Sequence, residues 1–428
     1  MKLEEIYECF LQCSSVTTDT RKIDKNALFI ALKGENFDAN TFAEEAISKG
    51  ASFVIIDNKK YHTNKSKMIL VKNSLETLQN LAIFHREALG LPIIALTGSN
   101  GKTTTKELIN VVLSKKYQTI ATIGNLNNHI GVPLTLLRLE KDTDIGIIEM
   151  GANHQKEIEF LSNMVQPDFG YITNFGKAHL EGFGGIQGVI QGKCELYNYI
   201  EKNTKLAFVN LDDPIQNQKT ETLSRFTFSE NFNSDIQIKS FIANPLVKIS
   251  YHNIDIQSNL IGIYNATNIA AAITIGKYFN VSDHHIKEAI ENYFPTNNRS
   301  QLIEQNGHHI ILDAYNANPS SMKVAIENFI QLKGSNKTIF LGDMFELGDS
   351  SNIEHQNIVD LLTQQHTITC YFIGKHFFNN SIQKDNFHFF ETFEDMSGKI
   401  NWTNSLNNYI LIKGSRAMQL ERILEILN

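Results

Sequence analysis

The sequence predicts an α/β protein of three domains: a small α/β unit, a central unit on a mostly parallel sheet, and a second doubly wound unit. Three observations predict it. Short apolar runs bounded by Gly, Asp or Asn alternate with stretches of helical periodicity. A Gly-rich turn, Gly98-Ser-Asn-Gly101, separates one such run from the helix after it. At roughly 150 residues per domain, 428 residues amount to about three domains.

In the first domain, residues 1–85, Ala27–Leu32 and Ala51–Ile56 read as short strands, and Phe42–Gly50 as a helix stopped by its glycine. In the second, 86–293, Pro92–Leu96, Ile145–Met150, Phe169–Thr173 and Leu206–Asn210 read as buried strands. Thr103–Ser114 carries Leu108, Val111 and Val112 at helical spacing, and Asn265–Lys277 is an Ala-rich helix. Residues 214–258 read as strands and loops. In the third domain, 294–428, Ile310–Leu312, Thr338–Leu341, Cys370–Ile373 and Tyr409–Ile412 read as strands, with Met322–Leu332 a helix between them. Pro295–Asn298 reads as a hinge.

Composition excludes several classes. With 42% hydrophobic and 20% charged residues the chain is globular. A net charge of -7 opposes an electrostatic nucleic-acid binder. No apolar run suits a membrane span, and Met1-Lys-Leu-Glu-Glu5 offers no signal-peptide core. Cys9, Cys13, Cys194 and Cys370 show no metal spacing and read as free thiols of a reducing compartment. A soluble, cytoplasmic protein is expected.

Leu96-Thr-Gly98-Ser-Asn-Gly101-Lys102-Thr103 follows a strand and opens a helix, the context that makes a phosphate loop credible. It is a shortened form, with Leu96 where the longer pattern has Gly. Loop N–H groups and the helix N-terminus attract phosphate oxygens. Lys102 adds a point charge, and the Thr103 hydroxyl suits Mg²⁺. Glu149 ends the strand Ile145–Met150; it reads as a carboxylate facing the crevice or as an acid starting the next helix outside it. His179, in the Gly-rich stretch Thr173–Gly185, reads as a metal ligand, a phosphate contact or an ordinary loop histidine. Gly192-Lys193-Cys194 reads as the start of a helix, and spacing alone makes Lys193 a solvated charge.

Taken as a set, Thr97–Lys106, Ile147–Ile158, Thr173–Gly184, Gly192–Tyr197, Leu260–Ala272 and Ile311–Met322 resemble the Mur ligase family of ATP-dependent amide-forming enzymes. Asp313–Met322 and Leu341–Asp349, with His355 after them, resemble the branch that adds D-alanyl-D-alanine to a UDP-N-acetylmuramoyl-tripeptide. Thr18–Arg21, Leu28–Gly34 and Ile412–Ala417 fit the same family. The family also holds single-amino-acid-adding ligases and folylpolyglutamate synthases; Ala317-Asn-Pro-Ser320 stands where the diaminopimelate- or lysine-adding ligase carries Asp-Asn-Pro-Arg.

The resemblance implies a UDP-sugar domain, a phosphate-loop ATPase domain and a Rossmann-like C-terminal domain. It implies ATP held by Thr97, Gly98, Ser99, Asn100, Gly101, Lys102, Thr103 and Thr104. Asn265 and Asn268 would lie near the adenine, Arg299 on phosphate and Asp313 on the ribose, with Tyr315, Asn316 and Asn318 along the C-terminal side. Thr103 and Glu149 would serve one Mg²⁺, and His179 with a carbamylated Lys193 a second. The catalytic set is then Lys102, Glu149, His179, Lys193 and Arg299, while Thr20, Arg21, Lys33 and Gly34 would meet the sugar nucleotide. A monomer that touches neither nucleic acid nor membrane is expected, since nothing in the sequence marks an obligate interface. Tyr264, Ser300-Gln301 and Asp38-Ala-Asn40 depart from the family's usual residues. A site spread over three domains implies closure around the ligands.

Overall fold

The computed structural model describes residues 1–428 except Asn244, Asn297, Ser335, 401–407 and Asn428. Of the hinge expected over Pro295–Asn298, Asn297 therefore lies outside the described residues. Strands of the described residues form three sheets, and the architecture is α/β in three domains.

The first sheet is parallel, β1 (Val16–Thr17), β2 (Leu28–Ile30), β3 (Phe53–Ile56) and β4 (Met68–Leu70), in that spatial order. The helix Ser74–Leu89 follows, capped by the Asn73 side chain on the Glu76 N–H and stopped by Gly90 in the left-handed conformation. The 85/86 boundary falls inside it. Arg86, buried in this helix, donates to the Val165 and Gln166 carbonyls and to Asp168 of the central domain.

The central sheet has nine strands: β5 (Ile93–Thr97), β6 (Thr119–Ala121), β7 (Ile145–Glu149), β8 (Phe169–Ile172), β9 (Leu206–Asn210), β10 (Ser224–Ser229), β11 (Ile236–Ala243), β12 (Leu246–Tyr251) and β13 (Ile254–Ile261). Their order is β13-β12-β11-β10-β9-β8-β5-β7-β6. β5 buries Ile93 and Ala95 in one core and Ile94 and Leu96 in another, which is why its run is continuously apolar. Helices Lys102–Leu113 and Tyr264–Tyr278 cover the second face through Leu108, Val112, Ile269 and Ile273. The chain leaves β5 toward β6 and β7 and returns on the other side as β8. The carboxyl end of β5 is thus a switch point, where ligands of open α/β sheets bind.

Two expectations need correction. Residues 214–258 hold strands, but also a short helix, Pro214–Lys219, capped by Asp213 and opened by its proline. The helix carrying Lys193 begins at Ile186, so Lys193 lies mid-helix and buried rather than at a solvated start. Gly188 and Gly192 do not break this helix. A Cβ at Gly188 would meet the Phe183 carbonyl at 1.8 Å, and one at Gly192 the Phe183 ring at 2.4 Å.

The third sheet runs β14 (Gln301–Gln305), β15 (His308–Asp313), β19 (Tyr409–Lys413), β16 (Lys337–Gly342), β17 (Ile368–Ile373) and β18 (Phe387–Phe390), parallel except for β14. Among the described residues, no helix is long and apolar enough to cross a membrane.

Candidate functional site

The phosphate loop leaves β5 at Thr97 and enters the helix Lys102–Leu113. Gly98 has φ +142° and Gly101 φ +76°, conformations that favour glycine. Space requires glycine as well. A Cβ at Gly98 would sit 2.0 Å from Thr173 Oγ1, and one at Gly101 2.7 Å from Asn268 Oδ1. The loop is stitched to the segment after β8: the Ser99 N–H donates to the Asn174 carbonyl at 3.0 Å, and the Asn100 N–H to Asn174 Oδ1 at 3.1 Å. The loop N–H groups left without acceptors are chiefly the helix-opening ones of Lys102, Thr103 and Thr104, and these are the ones open to an anion. Lys102 Nζ curls back onto the Gly98 and Ser99 carbonyls at 2.8 and 3.3 Å. Burial pushes its pKa down; Glu149 opposes this and Arg299 reinforces it.

Glu149 pairs in register with Leu96 across β5–β7 and is 1% exposed. Its Oε1 accepts from Asn127 Nδ2 at 2.7 Å; its Oε2 has no protein partner. Thr103 Oγ1 is likewise buried and unpartnered. Buried oxygens normally find partners. A hydroxyl and a carboxylate oxygen left over beside a phosphate loop are hard donors that fit Mg²⁺.

His179 begins the turn Leu180–Phe183 with φ +53°. Its Nδ1 contacts the Glu346 carboxylate, which comes from the C-terminal domain. Lys193 is 1% exposed. Its ammonium donates to the Ala152 carbonyl at 3.2 Å and lies 5.0 Å from the Phe183 ring centre. Burial drives its pKa well below the ordinary lysine value, with Lys102 acting in the same sense and Glu157 and Glu195 against it.

The C-terminal domain supplies the opposite wall. The Arg299 guanidinium stacks on Tyr315 at 3.8 Å. Asp313 accepts from the Ser300 N–H at 3.2 Å and from Lys413 Nζ at 2.5 Å. Asn318 donates to Asn100 Oδ1, and the Lys177 N–H to Ser320 Oγ at 2.7 Å. Tyr264 and Ser300, two of the unusual positions, share a hydrogen bond of 2.6 Å across this junction.

These walls enclose a cleft of about 1100 Å³ lined by Ser99, Asn100, Gly101, Lys102, Thr104, Glu149, His179, Asn265, Asn268, Arg299, Asp313, Tyr315, Asn316 and Asn318 among others. Thr97, Gly98, Thr103 and Lys193 are not on its surface. Asn268 lies behind Gly101, accepting from Thr105 Oγ1 and donating to Asn265 Oδ1. Thr20, Arg21, Lys33 and Gly34 do not line the cleft; they follow β1 and β2, at the carboxyl edge of the first sheet. Arg21 there pairs with Asp19 at 2.8 Å. In the unusual Asp38-Ala-Asn40, Asn40 is fully buried and donates to Asp38 and Asp57. Sequence reasoning missed Asn127, Glu346 and Lys413 as site residues. Glu346 lies within Leu341–Asp349 and Lys413 within Ile412–Ala417, but neither position is marked out by charge or spacing alone.

Residues 12–86 match the Mur ligase family catalytic domain, 96–276 the Mur ligase middle domain, and 298–416 the Mur ligase glutamate ligase domain. The UDP-N-acetylmuramoyl-tripeptide--D-alanyl-D-alanine ligase of Bacillus subtilis (strain 168) is 34% identical over 427 residues, covering 96% of this chain and 92% of the relative. The enzyme of that name from Escherichia coli (strain K12) is 32% identical over 396 residues, 87% of each chain. Among solved structures, MurF from Acinetobacter baumannii is similar with a TM-score of 0.86 at 29% identity, covering 100% of this chain and 98% of that one. MurF ligase from Thermotoga maritima in complex with ADP has a TM-score of 0.84 at 25% identity, with 98% and 97% covered. With its three domains matched in order and its relatives aligned over nearly their whole length, the chain belongs to the Mur ligase family.

Proposed function

We propose that this chain is an ATP-dependent ligase that joins D-alanyl-D-alanine to UDP-N-acetylmuramoyl-tripeptide, the last cytoplasmic step in building the muramoyl-pentapeptide of peptidoglycan. One observation carries the reading: the phosphate loop, Glu149, His179 and Arg299 converge on a single cleft in a chain aligned nearly end to end with ligases of that name.

A carboxylate does not acylate an amine unaided. Transfer of the γ-phosphoryl group of ATP to the tripeptide carboxylate gives an acyl-phosphate and ADP. The dipeptide amine then attacks the acyl carbon, the C–O bond to phosphate breaks, and inorganic phosphate and a proton leave as the amide forms. Lys102 and the helix N-terminus offset the phosphate charge. Arg299, held flat on Tyr315, adds a cation from the opposite wall. Asp313, fixed by Lys413 and the Ser300 N–H, offers its remaining lone pairs to a ribose hydroxyl, and Asn265 and Asn268 back the adenine end. Thr20, Arg21, Lys33 and Gly34, at a carboxyl sheet edge, hold the sugar nucleotide. Positioning three reactants contributes up to about 7–11 kcal/mol to such a reaction.

Thr103 Oγ1 and Glu149 Oε2 would hold one Mg²⁺, and His179 with a carbamate on Lys193 would hold a second. Such ions would supply charge neutralisation for the crowded anions and Lewis-acid polarisation of the phosphoryl group. The carbamate is supported by the lysine's burial, which lowers its pKa well below the ordinary value and favours the neutral amine that can add to carbon dioxide. The enzyme is read as a monomer working in the cytoplasm.

The test is phosphate release from ATP and Mg²⁺ with both substrates, omitting each in turn, and the mass of the product. Release that needs every component, with a pentapeptide product, is expected. Turnover with single amino acids or folates instead would overturn the substrate assignment and leave another family ligase.

A further inference from the structure

Glu346 reaches across the domain junction to His179. Both residues adopt the left-handed conformation, Glu346 with φ +62° and His179 with φ +53°, although neither is Gly or Asn. Strain of that kind costs more than a partly exposed ion pair returns, so stability does not explain the pair. The segment is nevertheless held firmly. The Met344 N–H donates to His355 Nε2 at 3.0 Å, the Phe345 N–H to Ser415 Oγ at 3.2 Å, and the Ser415 N–H to the Asp343 carbonyl at 3.3 Å. His355 is fully buried. On the other side, the Glu181 N–H donates to the Glu346 carbonyl at 3.4 Å, and Gly348 packs against Glu181. The C-terminal domain thus presents one carboxylate, on a pinned turn, to one imidazole nitrogen.

We infer that Glu346 is a positioning residue for His179. Its carboxylate takes the Nδ1 N–H, which sets the neutral tautomer with the lone pair on Nε2, the nitrogen left for an ion in the cleft. A histidine that ligates a metal commonly donates its other nitrogen to a carboxylate in this way, and loss of that partner typically weakens binding about 10–100-fold. Here the carboxylate belongs to a different domain from the ligand it orients. The second ion site is therefore complete only when the C-terminal domain is docked, so ion affinity reports closure. This rests on the reading of His179 as an ion ligand.

The test uses the full chain with Mn²⁺ as probe, a non-hydrolysable ATP analogue and the UDP-muramoyl-tripeptide, reading Mn²⁺ binding by electron paramagnetic resonance. Glu346→Ala should weaken the second ion about 10–100-fold and His179→Ala at least as much, and both should leave the first unchanged. Glu346→Gln, which keeps an acceptor, should recover part of the loss. Glu346→Ala in the His179→Ala background should add nothing. Thermal unfolding of each variant checks the fold. If His179→Ala weakens the second ion and Glu346→Ala does not, this inference alone is overturned. The same holds if Glu346→Ala weakens binding equally with His179 absent, because the effect is then merely structural. If neither matters, His179 is not a ligand and both readings fall.

Discussion

Asn318 donates its side-chain amide to Asn100 Oδ1 at 2.7 Å, across a separation of 218 residues. Its own Oδ1 caps the helix Pro319–Gln331 by accepting the Ser321 N–H at 2.9 Å. One side chain thus starts a helix of the C-terminal domain and ties it to the phosphate loop. The two roles separate by substitution. Asn318→Ser keeps a capping oxygen but is too short to reach Asn100; it should raise the KM for ATP several-fold with little change in Tm. Asn318→Ala should add a loss of about 1 kcal/mol from the cap. Initial rates and calorimetry distinguish them, and equal kinetics for Asn318→Ser and parent would refute the tie.

Gly98→Ala should be severe. Its Cβ would overlap Thr173 Oγ1, and its φ of +142° is closed to side chains. The expected loss is about 1–3 kcal/mol of stability from strain and at least tenfold in ADP affinity, read by titration calorimetry. Gly184→Ala is the control. It has φ +71° but nothing within 4 Å, so it should cost only the conformational term of about 1–2 kcal/mol and leave ADP binding intact.

Lys102→Ala should lower kcat about 10²–10³-fold, the usual effect of removing one preorganised group that stabilises developing charge. The bonds it forfeits are to the Gly98 and Ser99 carbonyls of its own loop, so Tm should barely move. A variant that retained parental turnover would overturn its placement on the phosphates.

Stability should fall in mild acid. His85 bonds the Leu139 carbonyl at 2.8 Å and Tyr7 at 3.1 Å; His355 bonds the Ser351 carbonyl at 2.7 Å and accepts the Met344 N–H at 3.0 Å. Both rings are satisfied as neutral tautomers, and burial lowers both pKa values from 6.5. Below that value the unfolded chain binds protons that the folded chain refuses. Stability is therefore full above about pH 6.5 and declines as pH falls through the range beneath it. Tm measured from about pH 8 to pH 5 should show the drop, and His85→Gln should shrink it. A profile flat across that range would contradict the neutral assignment.

The phosphate loop was legible because two constraints coincide at its glycines: positive φ and a neighbour where Cβ would go. The strand ends carrying Glu149 and Asp313 were legible because parallel strands buried on both faces read as apolar runs. What escaped was whatever depends on the far side of a contact. Glycines at 188 and 192 look like helix breakers, and only the packed Phe183 shows why they lie within a helix. Lys193 looks like a surface charge until that helix turns it beneath Ala152. Lys413 and Glu346 are ordinary charged residues in sequence; their partners Asp313 and His179 lie 100 and 167 positions away. The helix Pro214–Lys219 carried readable signals, an Asp cap and a following proline, but lay among strand-like runs that masked them.

The unpartnered oxygens of Thr103 and Glu149 also couple the stability of the fold to whatever cation meets them. An unmet buried polar atom costs about 1–3 kcal/mol, and a ligand that meets it is lent to the folded state alone. Stability then grows with the logarithm of ligand over Kd, by about 2.7 kcal/mol at a hundredfold excess. A cation that meets these two oxygens should therefore raise Tm, and its removal should soften the fold first at the phosphate loop.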